Sequence, residues 1–131
     1  MRLIASAVIA VILIFGAINK IYADEKGNIT KVKEGYTVEE LFSQKDKLKG
    51  KKISVRGKVV KFNAEIMGKN WLHLQDGTGK TGSNDITVTT KQTASVGKIV
   101  VITGVLATNK DFGGGYSYNV IIEEATITVA K

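Results

Sequence analysis

From Lys51 onward the chain carries five strand-like runs, several of them alternating apolar and polar residues; glycine interrupts two of the five and proline is absent throughout. A period of two is the period of a strand with one buried face, so this pattern restricts the second part of the chain to β-structure. "KKISVRGKVVKF" puts Ile53, Val55, Gly57 and Val59 on one side. "NWLHLQ" and "DITVTT" are short strands of the same kind, "KIVVITGVLA" is longer, and "YNVIIEEATITV" closes the set. Gly57 and Gly104 stand in strand interiors, where each predicts a sharp bend or bulge.

One helix precedes the strands. Thr37 is placed to cap the free amides of a helix start, and Glu40, three residues on, completes a capping box. Leu41, Phe42, Lys45 and Leu48 continue the stripe until Lys49-Gly50, where glycine suits a left-handed cap. The helix is therefore expected from about residue 38 to about residue 49, with a narrow apolar side that plugs one end of the strands. Lys45, Lys47, Lys49, Lys51 and Lys52 crowd its C-terminal end, where cations favour the helix dipole.

Five short strands, glycine bends and no proline give an all-β fold, most simply a small closed five-stranded barrel of the OB type, spanning about residues 51–129. Its links differ in length. Asn63–Asn70 joins strands one and two, and Thr108–Tyr116 joins strands four and five; both read as long, lysine-bearing loops. "KQTASVG", between strands three and four, has room for one helical turn at most.

Residues 1–23 stand apart from this domain. Arg2 is followed by an apolar run from Leu3 to Ile18 and then by Ile21-Tyr22-Ala23, the layout of a secretory signal with Ala23 at the cleavage position. The expectation is an exported protein, periplasmic or secreted, whose domain is residues 24–131; an uncleaved membrane anchor is the alternative, because the run is near the lower limit for spanning a bilayer. Removing the leader takes away Arg2 and Lys20 and no acid, so the formal charge falls from +7 to +5. A positive domain favours polyanions. With no cysteine, disulfides, thiolate zinc sites and haem-attachment motifs are excluded.

The only tryptophan and the only histidine lie two residues apart in "NWLHLQDGTG". Strand alternation turns Leu72 and Leu74 to the core and Trp71, His73 and Gln75 to the outer face. On the next strand Ile86 and Val88 take the inward positions, leaving Thr87 and Thr89 outward. An indole, an imidazole, an amide and two hydroxyls on one exposed patch suit flat, polar ligands. The competing reading packs Trp71 under the helix or a loop.

"GKVVKFNAEIMGKNWLHLQDGTG", Gly57 to Gly79, resembles the opening of the OB-fold anticodon-binding domains of class II aminoacyl-tRNA synthetases. Together with the leader, the helix and "ATNKDFGGGYSYNVIIEEATI", it is similar to small periplasmic single-domain OB-fold proteins described as nucleic-acid-binding or DNA-binding, over roughly residues 37–128. In the synthetase domains the aromatic of this motif stacks on an anticodon base, and the matching position is Trp71. The resemblance implies base stacking at Trp71 and edge contacts from Gln75 or His73. Lys58, Lys61, Lys69 and Lys110 would line the backbone path, with Phe112, Tyr116 and Tyr118 as a second platform. The implied partner is nucleic acid, DNA in single-stranded form, with an envelope or cytochrome protein bound at this face or at a strand edge as the alternative.

Other chemistry has little to stand on. A metal role for His73 needs further ligands that no cysteine or second histidine supplies, so a solvated or partner-facing imidazole is favoured, and haem ligation by one histidine without a motif is the weaker reading. "GTGKTG", Gly77 to Gly82, ends like a phosphate loop, but Leu74 stands where the pattern requires glycine and a strand follows instead of a helix, so it reads as a hairpin turn. Asp76, Asn84 and Asp85 match no calcium-loop spacing. No nucleophile–histidine–acid or paired-carboxylate arrangement is visible, so the expectation is a binding module, not an enzyme, with no metal and no cofactor.

Overall fold

The computed structural model describes Ala23 and residues 27–129. Two short helices, α1 (Val38–Ser43) and α2 (Lys45–Leu48), precede five strands: β1 (Lys52–Ile66), β2 (Lys69–Gln75), β3 (Ile86–Thr90), β4 (Ile99–Asp111) and β5 (Ser117–Val129). The strands close into a barrel in the order β1-β2-β3-β5-β4. This is the expected all-β barrel behind a helical segment. Apart from Ala23, which forms a single bridge with Ile29, the expected leader lies outside the described residues.

The barrel forms because its alternation holds. In β1 the residues Ile53, Val55, Gly57 and Val59 are buried while their neighbours are more exposed. Leu72, Leu74, Ile86 and Val88 are fully buried and belong to one core cluster with Ile102, Leu106 and Ile122. Val38, Leu41 and Leu48 join that cluster, so the helical segment stoppers the barrel. Each such side chain contributes roughly 1.5–3 kcal/mol by leaving water.

The capping box is present in both directions: the Thr37 hydroxyl accepts from the Glu40 amide at 3.1 Å, and the Glu40 carboxylate accepts from the Thr37 amide at 2.9 Å. The helix expected to run from 38 to 49 breaks at Gln44, whose φ of −108° and ψ of 19° leave helical space. Just before the break the Ser43 hydroxyl bonds back to the Glu40 carbonyl oxygen, a contact that competes with the helical ladder. Gly50 takes the left-handed conformation expected of it, with φ +81°.

The glycine bends are not bulges in their own strand. Gly57 pairs in unbroken register with Val100, and a Cβ there would meet the Leu74 side chain at 2.6 Å. Its absence leaves room for the Leu74 side chain and the Gln75 carbonyl against the β1 backbone. Gly104 faces a bulge in β5, where Glu124 has φ +52° and the register slips between Thr103 and Val105. A Cβ on Gly104 would lie 2.8 Å from the Glu123 carbonyl oxygen.

The two long links are also shorter than expected. β1 and β2 continue as a ladder to the Ile66↔Lys69 pair, leaving a turn of Met67 and Gly68, both at positive φ. That is the two-residue hairpin geometry whose twist matches the flanking strands. β4 and β5 likewise stay paired to Asp111↔Ser117. Polar residues hid these extensions from the alternation pattern, because outside the barrel neither face needs to be apolar.

Candidate ligand-binding face

Cross-strand partners share a face of the sheet, so the register assembles the site. Lys58 pairs with Gln75, Lys61 with His73 and Asn63 with Trp71 across β1 and β2. His73 then pairs with Thr87 and Trp71 with Thr89 across β2 and β3. Seven of the expected residues, Lys58, Lys61, Trp71, His73, Gln75, Thr87 and Thr89, therefore lie on one outer face.

The indole is not exposed on that face. Trp71 is 3% accessible, although it points away from the barrel core as its parity requires. The β4–β5 hairpin folds its aromatic residues over the ring: Phe112 meets it edge-on at 5.2 Å, Tyr116 lies tilted at 5.9 Å and Tyr118 stacks at 5.8 Å with 30° between planes. The indole Nε1 donates to the Ile66 carbonyl oxygen at 2.8 Å. A large ring with its single donor satisfied gains more from burial than from solvent, which corrects the expectation of an open stacking platform at Trp71. Thr87 and Thr89 are buried as well. The "second platform" of Phe112, Tyr116 and Tyr118 and the first one at Trp71 are a single aromatic cluster, and Tyr116 is its exposed member at 38%.

Two of the expected lysines attend that cluster. The Lys69 and Lys110 ammonium groups lie 5.0 and 5.7 Å from the Phe112 ring centre, within cation–π range. Lys110 also pairs with Glu123 at 3.3 Å, so part of its charge is neutralised inside the protein. Burial raises the Tyr118 hydroxyl above its ordinary value of 10.0, with a smaller push from Tyr116.

The other end of the face is polar. The Asp85 carboxylate accepts from His73 Nδ1 at 2.7 Å through one oxygen and from Gln75 Nε2 at 2.9 Å through the other. The imidazole is thereby held with its proton on Nδ1, which aims Nε2 away from the carboxylate. Burial raises the Asp85 carboxyl, but the hydrogen bonds from His73 and Gln75 and the charges of His73 and Lys61 outweigh it and leave the group below its ordinary 3.8. Sequence reasoning weighed Asp85 only against calcium and missed this role. The signal was available, since Ile86 points inward and parity places Asp85 outward beside Thr87.

Asp76 does different work. Its two oxygens accept from the Val38 amide at 2.9 Å and the Thr78 amide at 3.0 Å, while the Thr78 hydroxyl accepts from the Glu39 amide. With Thr37 on Glu40, the first three amides of α1 each have an acceptor, and the helix is tied to the turn after β2. Asp76 and Asp85 thus serve separate partners, and no group of three or more metal-ligating side chains occurs among the described residues. The "GTGKTG" segment is the connection from β2 to β3, as expected of a turn.

Comparison with protein-family models gives no match, and comparison with curated proteins gives none either.

Proposed function

We propose that the outer face of β2 and β3, rimmed by the two hairpins, binds nucleic acid in single-stranded form, and that the barrel is of the OB type. The reading carries over the resemblance noted in the sequence and extends it to an exported, non-enzymatic, periplasmic or secreted binding module. One observation carries it: the pairing of Lys61 with His73 and of Lys58 with Gln75 sets cations beside flat, polar groups on one face. Phosphates meet Lys58, Lys61 and Lys69, and base edges meet His73 Nε2 and the Gln75 amide oxygen. Tyr116, exposed at the rim, replaces Trp71 as the stacking ring, and Trp71 is the anchor beneath it. Stacking of this kind is worth about 1–3 kcal/mol per base and tolerates any base.

A second reading, an envelope or cytochrome protein as partner, is favoured by the exposed Met67 and Tyr116 at the tips of the two hairpins. Strand addition to the barrel body does not support it, because the five strands close into a ring. The test is titration of a labelled oligonucleotide at low and high salt, with an acidic polysaccharide as control. Steep weakening with salt and a loss in Tyr116→Ala are expected. Affinity that salt and Tyr116→Ala both leave unchanged overturns the proposal.

A further inference from the structure

Beside the covered tryptophan the β5 bulge opens a cleft. β3 and β5 run parallel from Thr87↔Ile121 to Val88↔Ile122, and the register then slips so that Thr90 faces Ala125. The extra length is taken up at Glu124, and residues of both strands, with Gly68 and Lys69 of the β1–β2 hairpin, line a space of about 500 Å³ beside the slip. That volume is within the usual range for small-molecule sites. Its floor is fixed: the Thr90 hydroxyl donates to the Ala125 carbonyl oxygen at 2.7 Å. The Gln92 side chain closes one end by accepting from the Ile127 amide at 2.8 Å and donating to its carbonyl oxygen at 3.4 Å.

Lys69 and Lys91 line the space together with Thr89 and Thr126. Among the described residues neither lysine forms an ion pair; Lys69 rests against the Phe112 ring and Lys91 is exposed. Gly68 and Ala125 add apolar wall, and among the described residues Glu124 is the one carboxylate lining the space. Two ammonium groups without an ion-pair partner among the described residues, in a lining that also holds threonines and apolar surface, match a phosphate joined to a flat ring and a sugar. The cleft also continues the face described above, since Thr89 is the cross-strand partner of Trp71.

We infer that this cleft holds a nucleotide by its phosphate, between Lys69 and Lys91, and that in a bound strand the occupant is a phosphorylated terminal nucleotide. The inference rests on the nucleic-acid reading for the strand end, but a free nucleoside monophosphate carries the same chemistry. Lys69 links the two sites, because a phosphate in the cleft draws its ammonium away from Phe112.

The full chain is titrated with three thymidine oligonucleotides of one length, bearing a 5′-phosphate, a 3′-phosphate or neither. A separate titration follows backbone amide resonances with a nucleoside 5′-monophosphate. One phosphorylated oligonucleotide should bind about tenfold tighter than the unphosphorylated one, the effect of a single charge-assisted hydrogen bond. Lys91→Met should bring that ratio to about one, while Lys80→Met, the same charge change on the β2–β3 connection, should keep it. The monophosphate should shift the amides of residues 90–92 and 124–126. Equal affinity for all three oligonucleotides, with no shift of those amides, overturns the inference and leaves the face intact. Amide shifts that Lys91→Met abolishes, without binding of any oligonucleotide, sustain the cleft as a free-nucleotide site and remove the face reading.

Discussion

Tyr118 lies over Trp71 with ring centres 5.8 Å apart and 30° between planes, so the protein places one of its own rings where a ligand base was expected to stack. The hairpin that carries Tyr118 is held to the barrel through this contact and through the Phe112 edge. Trp71→Ala should lower stability by about 3–5 kcal/mol, as for other buried aromatic truncations, measured by chemical denaturation. Native tryptophan emission should be blue-shifted and move red on unfolding. Emission typical of a solvated indole in the native protein would contradict the closed cluster.

The Asp76 carboxylate ties the start of α1 to the turn after β2. Asp76→Ala leaves the Val38 and Thr78 amides without their acceptor and should cost about 3 kcal/mol, the scale for hydrogen bonds to a buried charge. Hydrogen exchange at Val38 and Glu39 should accelerate more than exchange in β4. Equal acceleration everywhere would mean that the helix is held by its apolar side alone.

Asp85 gives the face a defined acid dependence. Its carboxyl is depressed below the ordinary 3.8 in the folded protein, so its stabilising contribution is fully present above that ordinary value and disappears as pH falls through the folded one. Carbon chemical shifts of the side chain should titrate below 3.8. In Asp85→Asn this acid-limb dependence should vanish, and oligonucleotide affinity should rise severalfold because a negative charge leaves the face.

Gly104 and Gly113 separate two kinds of glycine requirement. Gly104→Ala should cost about 1–3 kcal/mol by overpacking, because its Cβ would press on Ile122 and on the Glu123 carbonyl oxygen. Gly113, at φ +82° with open space around it, should lose about 1 kcal/mol from backbone strain alone. Thermal melts of the two variants compare them directly; a milder effect at Gly104 than at Gly113 would be inconsistent with this packing.

Lys61→Ala should weaken oligonucleotide binding uniformly across sequences and reduce the salt slope by about one, as removal of one phosphate contact does. Titrations at several salt concentrations measure it. A change that depends on base identity would place Lys61 at a base edge instead.

The barrel was legible in the sequence because each strand buries one face, and burial writes itself as alternation in residues such as Val55, Leu72, Leu74 and Val88. Thr37 and Glu40 announced the helix start because a cap is a local, side-chain-specific bond. The hairpin extensions were not legible: the ladder beyond Asn63 and Thr108 is made of backbone hydrogen bonds, which polar residues satisfy as well as apolar ones. Parity placed Trp71 outside the barrel correctly, but no period tells that residues 112–118 fold back over it. The aromatic clustering of Phe112, Tyr116 and Tyr118 was the available sign. Asp85 escaped for a related reason, since its partners His73 and Gln75 lie 12 and 10 residues away.

The order in which the ring closes has a kinetic meaning. β1–β2, β2–β3 and β4–β5 are neighbours in the chain, whereas β3 and β5 meet in parallel, with the Thr90 hydroxyl reaching a carbonyl 35 residues along. Chain segments so far apart must first lose the entropy of a long loop before their contacts repay it. The β1–β4 pairing joins residues still further apart, Lys52 with Val105, so both of these seams are expected to close after the sequential hairpins, and until they do sheet edges remain open to self-association.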